Sequence, residues 1–437
     1  MRIFPALVII FVLISSLIAQ EQQDVLKVKT RYGYEIDRRP AINFNIFVNY
    51  DNIKNNPKVF FATEIQNDVI QFERKESVFQ AAYQITVAVR SKEGGQTILT
   101  DTFSEDVVIE NFEETNSRYQ YQYKVYKLPD LNSAENIKLV PGEYECLLEI
   151  RDLISKKTYN GKRPFSIKKQ SAEEKYQSSE VTFLIKNPIN MDDIPLLPSF
   201  SAIDFAGENY AYLRLMSVPD DSLVVNVRLY RKGKLEDKLI HQEFISMIPK
   251  AEIADIIYKM PSNLLDEGEY KIRFSTDGKE RPVNQIKEFS VVWFTKPVYL
   301  YRTDLALRPM KYLLKEDELK IVKKMSADKM SAWFMNYWKE KDPTPETVYN
   351  ELQDEFYQRV GEANRKFPSR FKEGWETDRG QIFLLYGEPQ KIENRRYATT
   401  TVPYIVWLYE EGMVSFIFVD QDKNGEFRLL KNVNGKE

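Results

Sequence analysis

The chain has 437 residues, enough for about three domains of roughly 150 residues each. Hydrophobic residues make up 43% and charged residues 29%, so it can bury real cores; a formal charge of -3 provides no basic field for nucleic acid and no acidic tail. With one cysteine, Cys146, and one histidine, His241, an internal disulfide is impossible and the usual Cys/His zinc ligands are missing. A Ser-His-Asp triad would have to use His241, and a Cys-His pair would have to use both. No cofactor is expected, and any catalysis would rest on carboxylates, Tyr, Lys or Arg.

The N-terminus, MRIFPALVIIFVLISSLIAQ, reads as a signal peptide over residues 1–19. Arg2 is a short positive region, Phe4 to Ile18 an apolar run, and Ala19 a small residue at a cleavage position, although Leu17 two before it is not small. The alternative is an uncleaved anchor, since the run approaches the ~20 residues that span a bilayer. No cysteine follows it, so lipid anchoring is not expected, and no later run is long and apolar. The expectation is an exported protein, periplasmic or extracellular, with no membrane span after cleavage.

A first β-sandwich domain is expected over 20–190. In NFNIFVNY, Phe44, Ile46, Val48 and Tyr50 share one face, with Asn43, Asn45 and Asn49 on the other, the alternation of a half-buried strand. YQITVAVR and RYQYQYKVYKL repeat it. Two segments then match each other. LVPGEYECLLEIRD and LLDEGEYKIRFSTDG both carry Gly-Glu-Tyr before an alternating strand, at Tyr144 and Tyr270. A tyrosine there resembles the tyrosine corner of immunoglobulin-like sandwiches. Cys146 reads as a small buried apolar residue.

The stretch NPINMDDIPLLPS, with Pro188, Pro195 and Pro198, reads as a linker, and a second sandwich is expected over 199–295. SLVVNVRLYRKG points Leu223, Val225, Val227 and Leu229 inward. His241 falls on a later strand, more simply a surface or satisfied core residue than a catalyst.

A helix-rich domain of α+β class, with long amphipathic helices and a small antiparallel sheet, is expected over 296–437. Met330, Trp333, Phe334, Tyr337 and Trp338 form one helical stripe. Thr344 and Pro345 suit the start of the next helix, with Val348, Leu352, Phe356, Val360, Ala363 and Phe367 on its buried face. In FKEGWETDRGQIFLLYGEP, Thr377 can cap a short helix and Asp378 suits its positive end. Ile382, Phe383, Leu385 and Tyr386 would face the core, and Gly387 and Pro389 would end the helix. A strand with Ile382, Leu384 and Tyr386 alternating is the rival. Strands follow near Tyr404–Tyr409, Val414–Val419 and Phe427–Leu430. Asp420, Asp422, Asn424 and Gly425 match the first half of a calcium loop, but position twelve is Lys431, so a hairpin turn is the plainer reading.

These blocks resemble the GWxTD domain family. The signature is met at Gly374, Trp375, Thr377 and Asp378, and YWKEKDPTPET, FYQRVGEAN, LLYGEPQKIE, VWLYEE and FIFVDQDKNGEFRLL follow the same order from about Tyr312 to Leu430. The resemblance implies an exported bacterial envelope protein, with β-sandwich regions ahead of the domain, and brings no catalytic residues. A non-enzymatic scaffold that binds another envelope protein is the leading expectation, with the turn at Gly374, Trp375, Thr377, Asp378 and Arg379 as signature and possible binding site. The alternatives are a carboxylate-based hydrolase at the Gly374–Gly380 turn, using Asp378, Glu376 or Asp342 with Arg379 as anion holder, or a glycan-binding protein presenting exposed aromatics.

Overall fold

The computed structural model describes residues 22–50, 57–128, 139–167, 178–189, 194–216, 219–276, 283–395, 402–410 and 413–434. The proposed signal peptide lies outside them. Among the described residues no helix is long and apolar enough to cross a membrane. The protein is multidomain and mostly β, with several small sheets. The described residues fall into two compact units: those within 22–26, 39–261 and 267–292 form the first, and those within 27–38, 262–266 and 293–434 the second.

In the first unit, Ile42–Tyr50, Pro57–Gln66 and Tyr121–Leu128 pair antiparallel. A five-stranded sheet centres on Val78–Ser91 and Gly142–Asp152. Phe44, Phe61, Tyr83, Ile85, Val87, Cys146 and Leu148 are buried together in one core. The Cys146 thiol is fully buried, and desolvation pushes its pKa above the ordinary range. The Tyr144 hydroxyl donates to Val140 O at 2.5 Å, tying the strand start back to the preceding turn.

The asparagine face of Ile42–Tyr50 departs from expectation. Asn43, Asn45 and Asn49 are each only 1% exposed. Phe47, Phe60 and Ala62 point to that side and pack with Leu184, Leu196, Tyr210 and Tyr212, so the sheet is covered on both faces. Hydrogen bonds offset part of that burial: Asn45 Nδ2 donates to Leu197 O at 2.9 Å, Asn49 Nδ2 to Tyr212 Oη at 3.3 Å, and Asn43 Oδ1 accepts from Phe44 N at 3.1 Å, while Asn43 Nδ2 and Asn45 Oδ1 find no partner among the described residues.

The same unit holds a three-stranded sheet, Thr182–Leu184, Tyr210–Met216 and Ile253–Lys259, and a five-stranded one. The latter runs Ala202–Asp204, Asn284–Val292, Gly268–Thr276, Leu223–Arg231, Lys238–Met247, with its first pair parallel. Val225, Val227 and Leu229 are fully buried, as their alternation requires. His241 sits on the edge strand opposite Leu229, its Nε2 3.6 Å from the Glu243 carboxylate.

The second unit contains the hairpin Leu26–Lys29 and Glu35–Arg38, helices Glu316–Lys323, Ala327–Lys339, Glu351–Lys366 and Asp378–Tyr386, and a four-stranded antiparallel meander. The meander strands are Lys391–Arg395, Tyr404–Tyr409, Val414–Val419 and Arg428–Asn434. From the aromatic stripe, Phe334 and Trp338 are buried, and Met330, Trp333 and Tyr337 pack at the margin.

Two expectations are corrected here. The long helix starts after Asn350, not Thr344. Asn350 Oδ1 accepts from Gln353 N at 2.8 Å while its Nδ2 donates to Trp338 O at 2.8 Å, so this cap also closes the end of the preceding helix. Thr344 lies in a turn whose backbone is bonded to the Asp342 side chain, and Val348 and Leu352 are exposed. In the Asp378–Tyr386 helix the core face is Gly380, Ile382, Phe383 and Leu384, while Leu385 and Tyr386 are more than one-third exposed.

Candidate functional site

The signature turn is built from the backbone outward. A short 3-10 turn, Gly374–Glu376, precedes the Asp378–Tyr386 helix and packs against Glu351–Lys366. A Cβ on Gly374 would stand 2.1 Å from Ala363 O, and one on Gly380 would stand 2.0 Å from Gly374 O. Both contacts are with backbone, so only a bare Cα allows these segments to meet. That close approach sets the rotation of the signature helix and explains why Leu384, not Leu385, turns inward.

Thr377 Oγ1 accepts from Gly380 N at 3.0 Å and donates to Gly374 O at 2.7 Å, joining the turn to the helix as its N-cap. Asp378 occupies the first turn, and its Oδ2 accepts from Leu429 N at 2.7 Å. The Arg379 guanidinium lies between two rings, 5.1 Å from the Phe367 centroid and 5.0 Å from Phe427. At the other end, Gly387 takes φ 75°, and its carbonyl accepts from Tyr409 Oη at 3.0 Å.

Trp375 is 1% exposed, and its indole leads to a polar cluster that sequence reasoning missed. Its Nε1 donates to Glu373 Oε2 at 2.8 Å and lies 2.9 Å from Tyr299 Oη. Tyr299 donates to the same carboxylate, and Tyr32 Oη donates to Glu373 Oε1 at 3.0 Å. Asn364 Nδ2 reaches Tyr299 Oη at 3.1 Å, and the guanidinium groups of Arg308 and Arg31 stand 3.5 and 3.6 Å from Glu373. Burial alone would raise the Glu373 pKa. Hydrogen bonds from Tyr299, Trp375 and Tyr32, with the charge of Arg308, hold it below the ordinary glutamate value instead. Burial and the neighbouring Glu373 push the Tyr299 hydroxyl above its ordinary range.

Tyr32 and Tyr34 come from the Leu26–Lys29/Glu35–Arg38 hairpin. Tyr34 Oη donates to Val298 O at 2.5 Å, and Asp37 N donates to Tyr301 Oη at 3.3 Å. The cluster therefore clasps three distant parts of the chain within one unit. Chemically it is an ionised acceptor: hydroxyl and indole groups make its short hydrogen bonds and the two guanidinium groups stand just beyond them, an arrangement that fixes geometry.

The other carboxylates considered for hydrolysis are also engaged. Glu376 accepts from Glu373 N at 3.2 Å and lies 3.5 Å from Arg308, and Asp342 accepts from Thr344 N at 3.0 Å. Asp342 belongs to the turn after Ala327–Lys339, whereas Glu376 and Asp378 flank Thr377. For the calcium-like loop, Asp420 Oδ1 accepts from Asn424 N at 3.1 Å and Oδ2 from Gly425 N at 2.8 Å. Asn424 caps Glu426 N at 2.9 Å, and Asp422 stands 3.8 Å from Arg428. The strand connection is thus a loop closed on the Asp420 carboxylate. Among the described residues no group of three or more His, Cys, Asp or Glu is placed to hold a metal ion.

A family model described as the GWxTD domain matches residues 280–435, the C-terminal third of the chain, a range that begins in the first unit and runs through the second from Trp293. No curated protein matches the chain. Among solved structures, similarity extends to a β-glucosidase from intestinal bacteria involved in saponin metabolism, at 13% identity and TM-score 0.18, covering 30% of this chain and 18% of that one. It extends also to trypsin-activated α2-macroglobulin from Escherichia coli, at 8% identity and TM-score 0.18, covering 61% of this chain and 18% of that one. The chain thus matches less than one-fifth of the length of either, and at these scores neither likeness defines the fold.

Proposed function

We propose that this is an exported, non-enzymatic envelope protein that acts as a scaffold for another envelope protein. In this reading the sheets of the first unit form two immunoglobulin-like sandwiches that offer docking surfaces, and the second unit is an α+β domain. The N-terminal apolar run is the export signal.

The observation that carries the reading is the inward commitment of the signature. Thr377, Asp378 and Glu373 each bond to backbone or buried side chains of their own unit. A general acid needs a proton, and a general base a lone pair, free to meet substrate in a shared cleft. A carboxylate that serves as an acceptor for Leu429 N or Trp375 Nε1 is occupied with folding. The alternative, a hydrolase or glycan site at the Gly374–Gly380 turn, would have to break these bonds to work.

The test is in-cell photocross-linking of the exported chain in its host envelope, followed by purification under denaturing conditions. A discrete protein adduct that persists in an Asp378→Asn variant of normal stability supports the scaffold reading. No specific adduct, together with glycan hydrolysis or glycan binding abolished by Asp378→Asn, overturns it.

A further inference from the structure

The first unit contains a cavity of about 240 Å³ whose walls include Arg163, Lys287, Phe47, Phe165 and Phe200. It is bordered by strand Thr158–Ile167 on one side and strand Asn284–Val292 on another. Aromatic walls around two cations form an unusual lining, and the state of those cations is informative.

Arg163 is only 8% exposed. Its Nη2 donates to Asp24 Oδ1 at 2.8 Å, but its Nε is buried with no hydrogen-bond partner among the described residues. Leaving a charged donor unsatisfied in the interior is costly. Asp24 cannot easily serve it, since the same carboxylate also accepts from Phe200 N at 3.1 Å, Ser201 N at 2.8 Å and Ser201 Oγ at 2.7 Å. Lys287 Nζ stands 3.0 Å from the Phe200 ring centroid, and among the described residues no carboxylate forms an ion pair with it. Desolvation draws its pKa down to about 8, opposed by the charges of Glu180 and Asp24 and assisted by Arg163. An ammonium resting on a ring face inside a cavity is held, but incompletely compensated.

The geometry points to a binding site for a small monocarboxylate with an apolar or aromatic body, its carboxylate held by Lys287 Nζ beside the Arg163 guanidinium and its body against Phe47, Phe165 and Phe200. A carboxylate supplies the ion-pair partner that Lys287 lacks among the described residues. A monoanion is favoured over a dianion because Glu143 and Glu180 also line the cavity and would repel the second charge. The aromatic walls favour an apolar body, and the volume limits it to a small one. This goes beyond the scaffold reading and stands on residues outside the signature, so either result below leaves that reading unaffected.

The probe is phenylacetate, titrated calorimetrically into the full chain at pH 7, with 2-phenylethylamine and phenyl phosphate as charge controls. Phenylacetate is expected to bind saturably and to protect Lys287 from amine acylation read by mass spectrometry. Lys287→Met should weaken it by about 10-fold or more, the loss of one charge-assisted contact. Phe200→Ala, at a residue 37% exposed, gives a second readout and should weaken binding with the fold intact. Absence of saturable binding to folded wild type, equal binding of 2-phenylethylamine, or unchanged affinity in both variants would overturn the proposal.

Discussion

Gly380→Ala offers the sharpest test of what the signature does. The new Cβ would lie 2.0 Å from Gly374 O and 2.7 Å from Trp375 Cα. Unstrained carbon contacts sit at about 3.5 Å or more, so the helix and the turn must part by about 1 Å or more. Neither obstructing atom is on a side chain that can rotate away. Overpacking a well-packed site costs roughly 1–3 kcal/mol and sometimes more, and the roughly 1 kcal/mol that alanine gains over glycine in a helix offsets only part of it. With backbone on both sides of the clash the cost falls at the upper end of that range or above, so Gly380→Ala should lose about 2 kcal/mol or more net. For a unit of this size each kcal/mol moves Tm by about 2–4 °C, so a fall of roughly 4–8 °C or more is expected. All five tryptophans, Trp293, Trp333, Trp338, Trp375 and Trp407, lie in the second unit, so intrinsic fluorescence follows its unfolding alone. Gly361→Ala is the matched control. Gly361 sits within helix Glu351–Lys366, and a Cβ there meets nothing within 4 Å. It should raise stability by about 0.5–1 kcal/mol. If Gly380→Ala behaves like Gly361→Ala, close backbone approach is not why glycine stands there, and the packing account of the signature fails.

Two further outcomes follow from the same unit. Glu373→Gln should lower stability at pH 7 by roughly 1–3 kcal/mol, since it weakens bonds to a charged acceptor. The folded Glu373 pKa lies below its ordinary 4.5, so its contribution is full above that value and is lost as pH falls through the folded pKa. The Tm gap between wild type and Glu373→Gln should therefore stay open from neutral pH down to about 4.5 and narrow as pH falls below that, and a gap independent of pH would contradict the charge-based account. Asn350→Ala removes both the cap on Gln353 N and the bond to Trp338 O, and should cost about 2–3 kcal/mol by fluorescence-monitored melting. Thr344→Ala should stay within about 0.5 kcal/mol, and the reverse order would restore Thr344 as the helix start.

How legible this was depended on range. The stripe of Phe334 and Trp338 and the Thr377 cap were readable because helix periodicity and capping act over three or four residues. Strand alternation correctly turned Val225, Val227 and Leu229 inward. It could not tell that Asn45 and Asn49 would be buried, because their partners, Leu197 and Tyr212, lie 152 and 163 residues away. Thr344 and Asn350 are both good caps, and the choice was made by Trp338 O, a tertiary acceptor. No local pattern marks Glu373, because its donors, Tyr299 and Tyr32, are 74 and 341 residues distant. The hint was present in tyrosine-rich RYGY and VYLYR, but no local pattern says where those hydroxyls converge.

The signature can then be understood as four separate demands on packing. Glycine is required where two backbones touch, tryptophan where a buried ring must also donate to Glu373, threonine where one hydroxyl must accept and donate at once, and aspartate where the helix start meets Leu429 N. None of these demands specifies a ligand. Proteins that share the signature for these reasons would share a folded unit and could differ entirely in what they bind. The residues that distinguish this chain's function should then be ones folding does not explain. By that criterion Lys287 outranks every signature residue, because a half-compensated ammonium on the ring of Phe200 weakens the fold that contains it. A group retained at a cost to stability is where functional constraint is most economically sought.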